Sequence, residues 1–201
     1  NCNSPKNLFL GSPKYDFGLS RNEVLKKYNF NDEKFCLIIA PKLDIANSFS
    51  NEWVDLVKIL RECNYKVILK SRMKDSYSQF DLKLLCDYYL EDLSWFTHTT
   101  IDLMTISDVV VNTDSTSIEE AIMTKTPVIN FKLKGGNFLP FLYDEQVTSQ
   151  YDAGSYSSKS FLDNLKRLTA QNLDEKFNEL ICNKMFMGSS SCAILDNLGL
   201  C

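Results

Sequence analysis

Short runs of mostly apolar residues alternate along this chain with longer segments in which apolar residues recur every three or four positions. The runs have the length of strands and cover residues 35–41, 66–70, 109–111 and 127–131. Because they are apolar at consecutive positions rather than at alternate ones, they predict strands buried on both faces, as in a parallel sheet.

The segments between the runs predict helices. The clearest runs from about residue 51 to residue 63, and its buried face is formed by Trp53, Leu56, Val57 and Leu60. Residues 76–90, 156–168 and 172–181 predict further helices, and consecutive strand, helix and strand imply right-handed crossovers. The predicted fold class is therefore α/β, a three-layer Rossmann-like domain with a mostly parallel sheet of about five or six strands.

Composition narrows the function classes. The chain has 201 residues, 44% of them hydrophobic, which suits one domain with one sizeable core. A net charge of −4 argues against a nucleic-acid partner, which would require a concentrated basic face. No apolar run approaches the roughly 20 residues of a transmembrane segment.

The cysteines indicate the cellular compartment. The seven cysteines are odd in number and lack zinc-site spacing, so they favour a reduced, cytoplasmic compartment and no metal site. A cytoplasmic location is compatible with peripheral attachment of the full-length protein at the inner face of the membrane.

The chain begins with Asn1 rather than methionine, and we expect a fragment or a processed chain.

The strongest candidate site is the turn that connects the predicted strand at 109–111 to the following helix. The turn at 114–117 is rich in hydroxyls and should present free backbone N–H groups and the positive end of the helix dipole, which together favour an anion. Ile118, Ala121 and Ile122 form the apolar stripe that must face the sheet. Ser115 belongs to the turn, and three residues share a second stripe that could hold a phosphate and a ribose: Thr116, Ser117 and Glu120.

A simpler interpretation of the same stretch needs no ligand. Thr116 with Glu119, and Ser117 with Glu120, each fit the capping box S/T-x-x-E. Such caps are common at helix starts, and acidic residues in a first turn suit the dipole by themselves.

Three further residues are candidates by position. Lys42 follows one predicted strand and Lys70 ends another, at positions where a cation could bind a diphosphate. Lysines in loops are, however, more often only solvated. His98 follows a predicted short strand at 93–97 and begins a helical pattern. The only histidine of the chain is a candidate phosphate donor or acid/base, and thus the only catalytic candidate, although a lone histidine is more often structural.

Residues 120–129 resemble a known signature. Their sequence, EAIMTKTPVI, is similar to the Glu-Ala…Gly-x-Pro-Val-Ile motif in the C-terminal, donor-binding half of GT-B glycosyltransferases and of UDP-N-acetylglucosamine 2-epimerases. Residues 11–16 and 187–198 resemble the opening Gly-x-Pro-x-x-Asp turn and the closing helix of the same superfamily. The resemblance implies that Glu120 holds the nucleotide ribose and that Ser115 and Thr116 hold the phosphates. Lys125 stands where many members have glycine, so a looser helix end is expected.

The resemblance also implies a function. Residues 1–201 would be the donor-binding domain of a transferase of surface polysaccharide biosynthesis, without the N-terminal acceptor half. The donor would be a nucleotide-activated sugar or a CDP-linked polyol, bound as substrate with no cofactor, and the acceptor would be a glycan or a lipid-linked glycan. A UDP-sugar 2-epimerase-like enzyme and a non-catalytic nucleotide-binding domain are the alternatives. The epimerase reading fits less well, because epimerases carry a Gly-Gly pair where this chain has hydroxyls.

Overall fold

Six parallel strands form one sheet in the part of the chain that the structure describes. A computed structural model describes residues 12–16, 18–40, 48, 50–71, 82–91, 98–113, 115–132, 144–152, 155–170, 172–184 and 190–198. The strands are β1 Phe35–Ile39, β2 Lys66–Lys70, β3 Tyr88–Leu90, β4 Val109–Asn112, β5 Val128–Lys132 and β6 Thr148–Asp152. Their order across the sheet is β3-β2-β1-β4-β5-β6, and every neighbouring pair is parallel.

Helices cover both faces of this sheet. They are α1 Arg21–Tyr28, α2 Ser50–Glu62, α3 Leu82–Leu85, α4 His98–Ile106, α5 Ile118–Met123, α6 Ser158–Thr169, α7 Asp174–Lys184 and α8 Ser190–Asn197. A short 3-10 turn, Pro13–Tyr15, precedes them. Within the described ranges, none of these helices has the length and apolar character needed to cross a bilayer.

The core is split into two clusters because successive strand residues point to opposite faces. One face of the sheet packs against α2 and α6 through Trp53, Leu56, Leu60, Phe161 and Leu165. The other face packs against α1, α4, α5 and α7 through Val24, Leu103, Ile118, Ala121 and Phe177. The predicted α/β fold class with three layers is therefore confirmed.

The two strands that the sequence pattern did not predict lie at the edges of the sheet. Residues 88–90 were expected to extend a helix, but the helix stops at Leu85 and Tyr88–Leu90 pairs with β2. That part of the helix prediction is wrong. The strand predicted at 93–97 lies outside the described residues.

At the amino edge of the sheet, two aspartates extend the pairing of the strands. The backbone N–H of Asp108 donates to the carbonyl of Phe35 at 2.9 Å, and its carboxylate accepts the N–H of Phe35 at 2.8 Å. Asp87 and Val67 repeat both bonds at 2.9 Å. These carboxylates replace missing backbone partners at the strand starts, so their role is structural.

Candidate functional site

The candidate site is the turn between β4 and α5, at the carboxyl edge of the sheet. The fully buried side chain of Asn112, the last residue of β4, anchors it. Its Nδ2 donates to the backbone carbonyl of Ser115 at 3.1 Å and to Oδ1 of Asn130, opposite it in β5, at 2.8 Å. Two central strands therefore fix the start of α5.

The backbone of this turn is largely satisfied from within. The N–H of Ile118 donates to the carbonyl of Ser115 at 3.3 Å, and the N–H of Glu119 donates to the carbonyl of Thr116 at 3.0 Å. The N–H of Ser117 donates to Oγ of Ser115 at 3.4 Å. The prediction of free N–H groups is therefore wrong for these three donors, because a tight turn uses them.

The hydroxyls of the turn differ in exposure. Thr116 is exposed, whereas Ser115 and Ser117 are half-buried with their hydroxyl oxygens 3.2 Å apart. An anion at this turn would therefore meet side-chain hydroxyls rather than the end of a helix. Because α5 has only six residues, its dipole would contribute little.

The capping boxes that the sequence suggests for α5 do not form. Ser117 is the residue before the helix, its backbone is already helical, and its side chain makes no capping hydrogen bond. The carboxylates of Glu119 and Glu120 bind the ammonium group of Lys14 instead, each at 3.2 Å. The interpretation of this motif as a capping box is therefore wrong.

The apolar stripe of α5 determines where the two glutamates point. Ile118, Ala121 and Ile122 are fully buried against the sheet, as the sequence predicts. The side chain of Glu120 is only 7% exposed, whereas that of Glu119 is 32% exposed. Glu120 is thus the inner of the two carboxylates.

One oxygen of the inner carboxylate has no partner within the described ranges. Oε1 of Glu120 accepts the bond from Lys14, but the buried Oε2 has no hydrogen-bond partner among the residues that the structure describes. Buried polar atoms of native proteins are nearly always satisfied, and leaving one unsatisfied costs roughly 1–3 kcal/mol. An unsatisfied carboxylate oxygen next to a hydroxyl-rich turn is suited to accept a hydroxyl group from a ligand.

The 3-10 turn Pro13–Tyr15 brings Lys14 to this site from the opposite end of the sequence. The carboxylate of Asp16 holds that turn by accepting the backbone N–H groups of Ser190 and Ser191, at the start of α8. Nζ of Lys14 also lies 4.6 Å from the ring centroid of Tyr15. No sequence pattern indicates a role for Lys14 beyond its place within the Gly-x-Pro-x-x-Asp resemblance.

Tyr15 faces the same two carboxylates. Burial raises the pKa of its phenol well above the ordinary value, and the negative charges of Glu120 and Glu119 raise that pKa further. Tyr15 therefore remains a neutral hydrogen-bond donor at physiological pH.

Of the other predicted site residues, the structure describes only Lys70 in full, and it lies on a different strand. Lys42 is outside the described residues. Lys70 is the last residue of β2, which β1 separates from β4, and it is half-buried. His98 is the first residue of α4, and its side chain is outside the described part of the chain.

The end of α5 is tighter than predicted. Lys125 adopts the left-handed conformation with φ 56°, as glycine would. The N–H groups of Lys125 and Thr126 close the helix on the carbonyls of Ile122 and Ala121, at 3.0 and 2.8 Å. This is a Schellman motif with a lysine at the position that favours glycine, so the expectation of a looser end is wrong.

No protein-family model and no curated protein sequence matches this chain. Solved structures do. A protein described as a UDP-N-acetylglucosamine 2-epimerase from Listeria monocytogenes superimposes with a TM-score of 0.61 at 12% identity, over 98% of this chain and 55% of that one. Sucrose-phosphate synthase from Thermosynechococcus elongatus gives 0.60 at 12% identity, over 94% and 50%.

A third structure is a single domain. The C-terminal domain of a group 1 glycosyl transferase from Francisella tularensis gives a TM-score of 0.56 at 14% identity, over 87% of this chain and 98% of that domain. The chain thus spans about half of the two longer proteins and nearly all of the isolated domain. Its fold is therefore that of a Rossmann-like GT-B half, similar to these glycosyltransferase and epimerase structures.

Proposed function

We propose that this chain is the donor-binding domain of a GT-B glycosyltransferase and that Glu120 holds the ribose of a nucleotide-diphosphate-activated donor. The buried Oε2 of Glu120, which lacks a hydrogen-bond partner among the described residues, carries the proposal. A ribose hydroxyl is a donor of the right kind for it, and a hydrogen bond to a charged acceptor contributes about 1.5–3 kcal/mol.

The hydroxyls beside Glu120 suit the rest of such a ligand. Ser115, Thr116 and Ser117 can donate to phosphate oxygens, as the resemblance implies for the first two. Lys42 and Lys70 stay candidate cations for the diphosphate. The activated group would be a sugar or a polyol used in surface polysaccharide synthesis, and a glycan or lipid-linked acceptor would come from another domain.

Calorimetric titration of the 201-residue chain with UDP, CDP and GDP tests donor binding. We expect saturable heat from at least one of them, with a dissociation constant between tens of micromolar and millimolar, because one half of a two-domain cleft encloses only part of a ligand. The matching nucleosides serve as controls and should bind more weakly. Absence of saturable heat for all three diphosphates, from protein shown to be folded, would contradict the proposal.

Transfer itself should need more than this chain. An acceptor hydroxyl must lie within about 3–3.5 Å of the anomeric carbon, often beside a base. We therefore expect no sugar transfer from mixed UDP- and CDP-activated donors by the 201 residues alone, and transfer once an N-terminal half is supplied. Robust turnover by the chain alone would point to His98 as the first residue to mutate.

A further inference from the structure

Lys14, Glu119 and Glu120 form a cluster of three charges with a net charge of −1. Nζ of Lys14 lies 3.2 Å from Oε2 of Glu119 and 3.2 Å from Oε1 of Glu120. The lysine side chain is 27% exposed, so this cluster reaches the surface. Without the lysine, two carboxylates on adjacent residues would face an incoming ligand.

This charge balance matters for an anionic ligand. A diphosphate near the hydroxyls of residues 115–117 would approach both carboxylates, and like charges at such distances repel. Lys14 offsets one of the two negative charges. An ammonium group has three N–H donors, and the two carboxylates account for two of them.

Lys14 also controls which oxygen of Glu120 is available. By binding Oε1, it holds the buried carboxylate in one orientation and leaves Oε2 for another donor. The ring of Tyr15 lies beside the ammonium group of Lys14. Asp16 ties the 3-10 turn that carries Lys14 to α8. Contacts within its own turn therefore also hold Lys14 in place.

We propose that Lys14 is a positioning residue for an anionic, hydroxyl-bearing ligand: it orients Glu120 and neutralises Glu119. This inference rests on the proposed function and deepens it, because it selects ligands that combine a diol with a negative charge. A nucleoside diphosphate has both features, whereas a nucleoside has only the first.

The test compares four variants by calorimetric titration with whichever of UDP, CDP or GDP wild type binds most tightly. Lys14→Met removes the charge, and Lys14→Gln keeps a hydrogen-bond donor should the first variant fold poorly. Lys27→Met is the matched control, since Lys27 makes a similar ion pair with Asp102, at 2.6 Å, between α1 and α4. The fourth variant combines Lys14→Met with Glu119→Gln.

We expect Lys14→Met and Lys14→Gln to weaken binding about five-fold or more, the effect of one unit charge at a few ångströms in a solvated site. Lys27→Met should leave the affinity unchanged. Adding Glu119→Gln to Lys14→Met should recover part of the loss, because it removes the carboxylate that the lysine no longer neutralises. A lysine that merely tethered the turn to α5 would give no such recovery.

The outcomes separate the two proposals. If wild type binds a diphosphate and both Lys14 variants bind it equally well, this inference is overturned while the donor site stands. Binding that is weakened but not recovered by Glu119→Gln also overturns it, because Lys14 would then be only a tether. Failure of wild type to bind any diphosphate contradicts the proposed function and, with it, this inference.

Discussion

Two helix starts in this protein carry the same sequence pattern and fold differently. At α1, Ser20 and Glu23 form a complete capping box: Oε2 of Glu23 accepts the N–H of Ser20 at 2.8 Å, and Oγ of Ser20 accepts the N–H of Glu23 at 3.4 Å. At α5, Ser117 and Glu120 fit the same pattern but make neither bond. There the glutamates bind a lysine more than one hundred residues away in sequence.

The difference shows what each helix start contributes. The cap of α1 is exposed and satisfies its own backbone, so it stabilises the fold and needs nothing else. The start of α5 has no such cap, buries a carboxylate and leaves one of its oxygens without a hydrogen-bond partner in the described part of the chain. Local rules that fail in this way tend to mark functional sites.

The largest expected effect is on binding at α5. We expect Glu120→Gln to weaken nucleoside diphosphate binding about 10- to 100-fold, the equivalent of about 1.5–3 kcal/mol for a charged hydrogen bond. Glu119→Gln is the matched control and should change the affinity by less than about three-fold, since that carboxylate is the outer one. Calorimetric titration of both variants measures these affinities. A larger loss of affinity for Glu119→Gln than for Glu120→Gln would reverse the assignment of the ribose-binding carboxylate.

For stability, in contrast to binding, the larger effect should be at α1, when the hydroxyl of Ser20 or of Ser117 is removed. We expect Ser20→Ala to lower the free energy of unfolding by about 1 kcal/mol, the usual cost of losing a helix cap. Ser117→Ala should cost less than about 0.5 kcal/mol, because its hydroxyl caps nothing. Urea denaturation monitored by circular dichroism measures both, and equal losses would mean that Ser117 does cap α5 in solution.

The cap of α1 should also depend on pH. The hydrogen bonds from the hydroxyl and the N–H of Ser20 lower the pKa of Glu23 below its ordinary value of 4.5. A lowered pKa in the folded state stabilises the protein above the ordinary value, and this stabilisation is lost as the pH falls through the lowered value. Wild type should therefore be more stable than Glu23→Gln at neutral pH, and the gap should narrow in acid. A gap that stays constant from pH 7 to pH 3 would exclude this linkage.

The two helices also differ in the type of residue at their left-handed end, and this difference should give the smallest effect. Both end on a left-handed residue, Asn29 for α1 and Lys125 for α5. Asparagine adopts this conformation at a lower cost than lysine does. Lys125→Gly should therefore raise the free energy of unfolding by about 0.5–1 kcal/mol, while Asn29→Gly should change it little. Destabilisation by Lys125→Gly would mean that the lysine side chain makes a stabilising contact.

The central part of the fold could be predicted from the sequence because buried parallel strands are apolar at every position. Phe35–Ile39 and the three valines at 109–111 follow this rule. The edge strand Thr148–Asp152 does not, since only some of its residues are buried and its sequence is mostly polar. Tyr88–Leu90 has three half-buried residues after a leucine-rich segment, and the spacing of those leucines favours a helix.

Less of the candidate site could be predicted. Helical periodicity alone places Glu120 on the stripe of Thr116, but it cannot show that the carboxylate is buried or that one oxygen is unsatisfied. The contact with Lys14 joins residues 106 positions apart, and no local pattern encodes such a pairing. The same limit explains why the sequence suggests capping boxes at α5 that do not form.

The central claim is that Oε2 of Glu120 accepts a ribose hydroxyl. The most direct test measures the affinities of wild type and Glu120→Gln for one nucleoside diphosphate and for its 2′,3′-dideoxy analogue. We expect loss of the two hydroxyls to weaken binding to wild type about ten-fold or more and to have little effect on Glu120→Gln, because the two changes remove the same interaction. If the dideoxy analogue loses the same factor with both proteins, Glu120 does not bind the ribose.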